Sequence, residues 1–114
     1  MVIIAAVLAL FAIVGCGEGP PLPPANLTVK ATTPITLSWD RNLAATSYNI
    51  YRGTVSGGLS TKTLLASNVH IDNASPLTSY TDTSAAAGVT YYYQVTAVDW
   101  NKESAASNEV YATP

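Results

Sequence analysis

Apolar and polar side chains divide the chain into three segments with different patterns. Residues 2–14 carry no polar side chain, residues 17–25 are rich in proline, and from Asn26 onward apolar and polar residues alternate. Alternation with a period of two is typical of half-buried β-strands, and no stretch after residue 26 sustains the 3.6-residue period of a helix. The pattern predicts six or seven short strands in an antiparallel sandwich, with turns at Thr33-Pro34, Gly57-Gly58, Ser75-Pro76 and Gly88.

The longest alternating run, from Val89 to Asp99, predicts which tyrosines face the core. One face of this strand carries Tyr91, Tyr93, Val95 and Ala97, and the other carries Tyr92, Gln94, Thr96 and Val98. If Tyr48, Ile50 and Val110 also face inward, the tyrosines next to inward residues face outward. These are Tyr51, Tyr92 and Tyr111.

The apolar segment at residues 2–14 has the length of a signal-peptide core. Thirteen residues in a helix span about 20 Å, which is short of the roughly 30 Å hydrocarbon layer of a membrane. The segment therefore predicts a short apolar N-terminal helix that serves as a targeting signal. No basic residue precedes Lys30, which is unusual for such a signal, so either a start upstream of Met1 or a non-standard signal remains open.

The tetrapeptide Ile13-Val14-Gly15-Cys16 resembles the lipobox of bacterial lipoproteins. The resemblance implies that residues 1–16 form a signal peptide with lipobox, and that Cys16 is acylated and becomes the new N-terminus. Several acyl chains hold a protein stably on a membrane, whereas one chain does not. The alternatives are a buried free cysteine and a short uncleaved anchor.

Residues 17–25 are expected to form a tether. Four prolines, Pro20, Pro21, Pro23 and Pro24, lack the backbone N–H that helices and sheets require. Such a run favours an extended polyproline II conformation of about 3.1 Å per residue, so nine residues could reach about 28 Å.

Residues 26–114 resemble a fibronectin type III domain of the bacterial extracellular kind, and the likeness extends back to about residue 22. The matching pieces occur in family order: Pro23-Pro24-Ala25-Asn26-Leu27, Ile35-Thr36-Leu37-Ser38-Trp39, Tyr48-Asn49-Ile50-Tyr51-Arg52, Tyr80-Thr81-Asp82-Thr83, residues 88–99 and Glu103-Ser104 through Val110. The resemblance implies a seven-stranded, all-β immunoglobulin-like sandwich, with Trp39 in the core and Tyr91 at the tyrosine corner. The family usually has leucine and proline where this chain has Ala85 and Ala87, so we expect a looser connection there.

Composition argues against several classes of chemistry. The chain has five basic and seven acidic residues, one histidine and one cysteine, which provides neither a basic surface for nucleic acid nor a set of metal ligands. His70 and Asp72 could share a face, but two ligands make at most half of a metal site. The carboxylates are scattered, and Asp82 is expected to accept backbone hydrogen bonds in a turn. The chain is therefore expected to be non-enzymatic and to need no cofactor.

The outward aromatic residues are the candidate binding residues. Tyr51, Tyr92 and Tyr111 would form a flat surface on one sheet, with Trp100 in the loop at one end of that sheet. Such surfaces bind sugars by stacking and proteins by burying large rigid side chains.

Three functions follow from these observations. The first is a lipid-anchored module of the cell envelope, on the outer membrane or cell surface, used for adhesion, spacing or protein–protein interaction. If the lipobox is not used, the module would instead be secreted. The second is a carbohydrate-binding accessory domain with a polysaccharide ligand, and the third is a filament or envelope subunit that retains its N-terminal helix.

Overall fold

The computed structural model describes residues 19–70 and 77–114. These residues contain one short 3-10 helix, Leu59–Thr61, and eight strands. The strands are β1 (Thr28–Lys30), β2 (Ile35–Asp40), β3 (Ser47–Gly53), β4 (Thr63–Val69), β5 (Leu77–Asp82), β6 (Tyr91–Asp99), β7 (Lys102–Glu103) and β8 (Val110–Ala112). No helix within the described residues is long and apolar enough to span a membrane. The predicted N-terminal helix and the lipobox lie outside these residues.

The strands form two antiparallel sheets, which confirms the predicted fold class. One sheet has the order β1-β2-β5, and the other has the order β4-β3-β6-β7, with β8 also paired to β6. The strand at the edge beside β6 is interrupted, because β7 and β8 pair with opposite ends of β6. If these two segments are counted as one interrupted strand, the sandwich has the seven strand positions that the resemblance implied.

Period-two alternation places the core where the sequence indicated. Ile35, Leu37 and Trp39 of β2 are fully buried, and so are Tyr48 and Ile50 of β3. The Trp39 and Tyr48 rings meet edge to face with centroids 5.2 Å apart, a favourable geometry for aromatic pairs. Trp39 is therefore the central aromatic residue of the core, as the resemblance implied.

Tyr91 forms the expected corner. Its hydroxyl accepts a hydrogen bond of 3.0 Å from the backbone N–H of Ala86, which ties the crossover between the sheets to the start of β6. Ala85 packs against the core from the same connection. The looser packing expected at Ala85 and Ala87 stays a prediction.

The end of the proline-rich segment lies against the domain. Pro24 is buried, the carbonyl of Leu22 accepts a hydrogen bond of 2.8 Å from Asn42 Nδ2, and that of Ala25 accepts one of 3.0 Å from the Asp40 N–H. Residues 22–25 are thus held beside the end of β2, at the start of the loop that joins β2 to β3.

Candidate binding surfaces

Two of the predicted outward tyrosines form a pair on the larger sheet. Tyr92 of β6 lies directly opposite Tyr111 of β8, and their ring centroids are 5.6 Å apart with an interplanar angle of 38°. Tyr111 is 66% exposed, whereas Tyr92 is half-buried. On the other side, Tyr92 is opposite Gly53 of β3. These two rings form a small exposed aromatic surface, here called the tyrosine pair.

Tyr51 lies on the same face, but its hydroxyl is engaged within the domain. It donates a hydrogen bond to the Glu103 carboxylate, which also accepts hydrogen bonds from Thr96 Oγ1 at 2.6 Å and Asn49 Nδ2 at 3.1 Å. Burial and the bond to Glu103 raise the pKa of the Tyr51 phenol. Burial opposes ionisation of Glu103, but these hydrogen bonds outweigh it and lower the pKa of the carboxyl group. Tyr51 therefore helps to join three strands.

Trp100 is far from the tyrosine pair. It follows the last residue of β6, eight positions after Tyr92, and a strand of that length covers about 26 Å. The indole is 85% exposed, while its backbone N–H donates a hydrogen bond of 3.2 Å to Thr46 Oγ1. Trp100 and the tyrosine pair thus lie on two separate surfaces.

The end of the sandwich at Trp100 also exposes two leucines that sequence reasoning missed. Leu43, in the loop between β2 and β3, is 84% exposed, and Leu22, at the end of the proline-rich segment, is 78% exposed. Both line one groove of about 430 Å³. We call Leu22, Leu43 and Trp100 the apolar pole. Leu43 lies in a loop between Asn42 and Ala44, where no alternating pattern marks which side chains are exposed.

A buried polar cluster joins the two sheets at the opposite end. Asp82, at the end of β5, accepts a hydrogen bond of 2.6 Å from the Tyr93 hydroxyl and one of 2.8 Å from Arg52. It also accepts the Ser84 N–H at 3.0 Å, as the predicted turn requires. Burial opposes ionisation of Asp82, but the hydrogen bonds from Tyr93, Arg52 and Ser84 outweigh it and lower its pKa. Burial and the bond to Asp82 raise the pKa of Tyr93.

The guanidinium of Arg52 extends this cluster to the tyrosine corner. Its central carbon lies 4.7 Å from the centroid of the Tyr91 ring, within the range of a cation–π contact. Sequence reasoning found the turn role of Asp82 but not its partners, because Arg52 and Tyr93 come from strands of the other sheet.

A second internal ion pair closes the loop between β3 and β4. The Lys62 ammonium is buried, donates a hydrogen bond of 2.6 Å to the Gly57 carbonyl, and pairs with Glu109. Burial opposes ionisation of Glu109, but its bonds to Lys62, Ser56 and Gly57 outweigh it and lower its pKa. The pair fastens this loop to the chain just before β8.

The two residues weighed as metal ligands are only partly covered by the described residues. There, no group of three or more histidine, cysteine, aspartate or glutamate side chains could hold a metal ion. His70 is exposed at the end of β4, and its suggested partner Asp72 lies outside the described residues.

Comparison with known proteins identifies the fold family. No protein-family model matches the chain. The structure of an Fn3-like protein from Clostridium thermocellum is 34% identical in sequence, with a TM-score of 0.68, and the match covers 82% of this chain and 92% of that one. The chain belongs to the Fn3-like family. Pectate lyase PelI from Erwinia chrysanthemi contains a region of the same fold, with a TM-score of 0.61 at 22% identity.

Relatives of this Fn3-like domain occur within much longer enzymes. An amylopullulanase from Thermoanaerobacter thermohydrosulfuricus is 48% identical over 87 residues, which are 75% of this chain and 5% of that protein. A poly(3-hydroxybutyrate) depolymerase from Ralstonia pickettii is 39% identical over 78 residues, 67% of this chain and 13% of that protein. The chain therefore spans only a small fraction of the curated relatives that it matches.

Proposed function

We propose that this Fn3-like domain is a non-catalytic accessory module, held at the cell envelope through a lipid on Cys16, that spaces or presents its surface to other proteins. The observation that carries the proposal is that the paired charges have structural roles. Each of the charged clusters described above joins strands or closes a loop.

General acid–base catalysis needs a carboxyl group that can give up or accept a proton near neutral pH. Asp82, Glu103 and Glu109 have the opposite property, because hydrogen bonds lower the pKa of each. Glycoside hydrolysis also needs two carboxyl groups facing each other across the scissile bond. The amylopullulanase relatives support an accessory role, because the matched region makes up only 5% of such an enzyme.

The envelope location rests on the lipobox-like residues 13–16 and on the proline-rich segment that follows them. Because residues 22–25 lie against the sandwich, the predicted tether is limited to the five residues between Cys16 and Leu22. Five residues of polyproline II reach about 16 Å. The domain would therefore be presented close to the membrane.

The intact mass of the protein purified from native membranes tests the anchor. We expect a species that begins at Cys16 and carries the mass of the acyl groups. The Cys16→Ser variant should keep its leader, because lipoprotein processing needs the thiol. An unmodified Cys16 in the membrane-bound protein would contradict the proposal. An unmodified chain that retains residues 2–14 would instead favour the filament or envelope subunit.

A second candidate function is polysaccharide binding by the tyrosine pair. Tyr92 and Tyr111 are adjacent and partly exposed, and aromatic rings stack on sugars through such faces. Relatives named as amylopullulanases make a polysaccharide a reasonable ligand class.

Affinity electrophoresis of the full chain in gels containing pullulan or polygalacturonate tests this candidate. The polysaccharide should slow the migration of the native protein and of Tyr111→Phe. Tyr111→Ala should migrate as it does in a gel without polysaccharide. Trp100→Ala should have no effect, because Trp100 lies at the other end of β6. Equal migration of all variants with and without polysaccharide would exclude this function for those sugars.

A further inference from the structure

The apolar pole carries the three most exposed large hydrophobic side chains of the described residues. Trp100 is 85% exposed, Leu43 84% and Leu22 78%. They come from three different parts of the chain, but the topology brings them to one end of the sandwich. The end of β2 and the start of β3 lie at this end, as does the end of β6, because Ser47 pairs with Val98.

The loop between β2 and β3 carries Leu43 and binds the backbone of Leu22 and of Trp100. Asn42 donates to the Leu22 carbonyl on one side of this loop. On the other side, Thr46 accepts a hydrogen bond from the Trp100 N–H and donates one of 3.0 Å to the Val98 carbonyl. The three residues of the pole are therefore held at the same end of the sandwich by one loop.

The backbone holds these side chains outward. The Asn42 N–H donates to the Tyr48 hydroxyl at 2.8 Å, and Asn42 Oδ1 accepts the Ala44 N–H at 2.9 Å, so the loop that carries Leu43 is fixed on both sides of it. Trp100 has φ +57°, a left-handed conformation that is an outlier for a bulky residue. Strained backbone of this kind persists where the surroundings impose it, and it often occurs at binding sites.

The sequence indicates what lies next to the pole. Cys16 is six residues before Leu22, and residues 2–14 are entirely apolar. Six residues of extended chain reach about 19 Å. Either a lipid on Cys16 or a retained apolar segment would keep a bilayer within that distance of Leu22, on the side from which the tether leaves the domain.

We propose that the apolar pole docks on the surface of the lipid bilayer to which the chain is anchored. Tryptophan favours the membrane–water interface, because its ring is apolar and its N–H is polar. Leucines inserted at the boundary between headgroups and acyl chains add apolar area to the anchor. The docked domain would lie with its tyrosine pair, at the other end of β6, facing away from the membrane. This inference rests on the proposed envelope anchor.

Fluorescence of the full chain on vesicles tests the docking independently of cellular lipidation. Cys16 is the only cysteine, so the unlipidated protein can be coupled through it to a maleimide lipid in phosphatidylethanolamine–phosphatidylglycerol vesicles. The acyl chains of the vesicle phospholipids carry bromine, which quenches tryptophan fluorescence on contact. Trp39 is fully buried and serves as an internal reference. We expect a blue shift and the loss of the Trp100 contribution, about half of the emission if the two tryptophans emit equally.

Two leucine variants make the test specific. Leu22→Asn combined with Leu43→Asn should reduce quenching at least twofold. Leu64→Asn, the same change at an exposed site on β4, should leave quenching unchanged. Absence of quenching in the coupled native protein, or equal quenching in all variants, would overturn the docking. A blue shift that depends on protein concentration and needs no lipid would assign the pole to a second copy of the chain and would also overturn it.

The two proposals fail in different ways. An unmodified Cys16 in cells would refute the lipid anchor but would not change the quenching of the coupled protein. A lipidated Cys16 without quenching would leave the anchor in place and refute docking of the pole.

Discussion

Trp100 holds its exposed indole on a left-handed backbone, which is costly for any side chain with a Cβ atom. Replacing it with glycine should relieve that cost, on the order of 1 kcal/mol. We therefore expect Trp100→Gly to raise the free energy of unfolding by about this amount, as measured by urea denaturation. Trp100→Ala is the matched control, because it removes the indole but keeps the Cβ atom. Equal stability of the two variants would show that the backbone at Trp100 carries no strain.

Tyr93 is a second residue whose contribution to stability can be measured, through its hydroxyl group. It is buried and donates to the ionised Asp82, and a hydrogen bond to a charged group contributes about 2 kcal/mol. Tyr93→Phe removes only this oxygen and should lower the free energy of unfolding by about that amount. Tyr111→Phe, at an exposed ring, should change it by less than about 0.5 kcal/mol. A similar effect of both substitutions would contradict the proposed role of the cluster.

At the scale of elements, the interrupted last strand is completed by serine side chains. Between β7 and β8, Ser104 Oγ accepts the Ala97 N–H and Ser107 Oγ accepts the Val95 N–H, each at 2.9 Å. Both serines are buried. Their hydroxyl groups therefore occupy positions where backbone carbonyls would pair with β6 in a regular strand.

Removing one hydroxyl group should open β6 locally. In Ser107→Ala the Val95 N–H loses its acceptor, so its hydrogen-exchange protection should fall by about tenfold, which corresponds to about 1.4 kcal/mol. The Ala97 amide, bound by Ser104, should be much less affected. Ser60→Ala, in the exposed 3-10 helix, is the control. Unchanged exchange at Val95 would mean that the serine hydroxyl is not its main partner.

At the scale of the whole molecule, three ionised carboxylates join separate parts of the fold. Asp82 joins the two sheets, Glu103 joins β3, β6 and β7, and Glu109 fastens the loop at Lys62. Their folded-state pKa values are lowered, so the folded protein binds protons more weakly than the unfolded chain. The stability that they contribute is fully present above the unfolded pKa values of about 4 and is lost as pH falls through the lower folded values.

Thermal unfolding should therefore occur at progressively lower temperature below about pH 5. Calorimetry across this range should show a smaller dependence on pH in Asp82→Asn than in the native protein, because one of the three acids no longer titrates. A dependence as steep as that of the native protein would assign acid unfolding to other groups.

The sequence predicted the sandwich because its core uses a local, repeating pattern. Trp39, Tyr48 and Tyr93 alternate with polar neighbours, so strand geometry alone directs them inward. Tyr91 was found through its family motif. Thr96 and Gln94 show the limit of the pattern: alternation places them on the outer face, yet both are buried, because Glu103 and the segment at Ser107 hydrogen-bond to them.

The candidate surfaces were only partly predictable for a related reason. Trp100 and Tyr111 were singled out as exposed aromatic residues, and the structure exposes both. Their separation depends on strand register and length, which alternation does not specify at that precision. Leu22 and Leu43 could not be found, because a single leucine in a loop has no period and its exposure depends on how distant segments meet.

The broken strand at the rim of the larger sheet has a consequence for crowded surroundings. An unpaired strand of ordinary length can act as a template on which a neighbouring chain adds its own strand. Here the rim consists of β7, with two residues, and β8, with three residues. The segment between them carries the serines whose hydroxyl groups bond to β6. Many copies of the domain could therefore crowd together without growing into fibres from that rim.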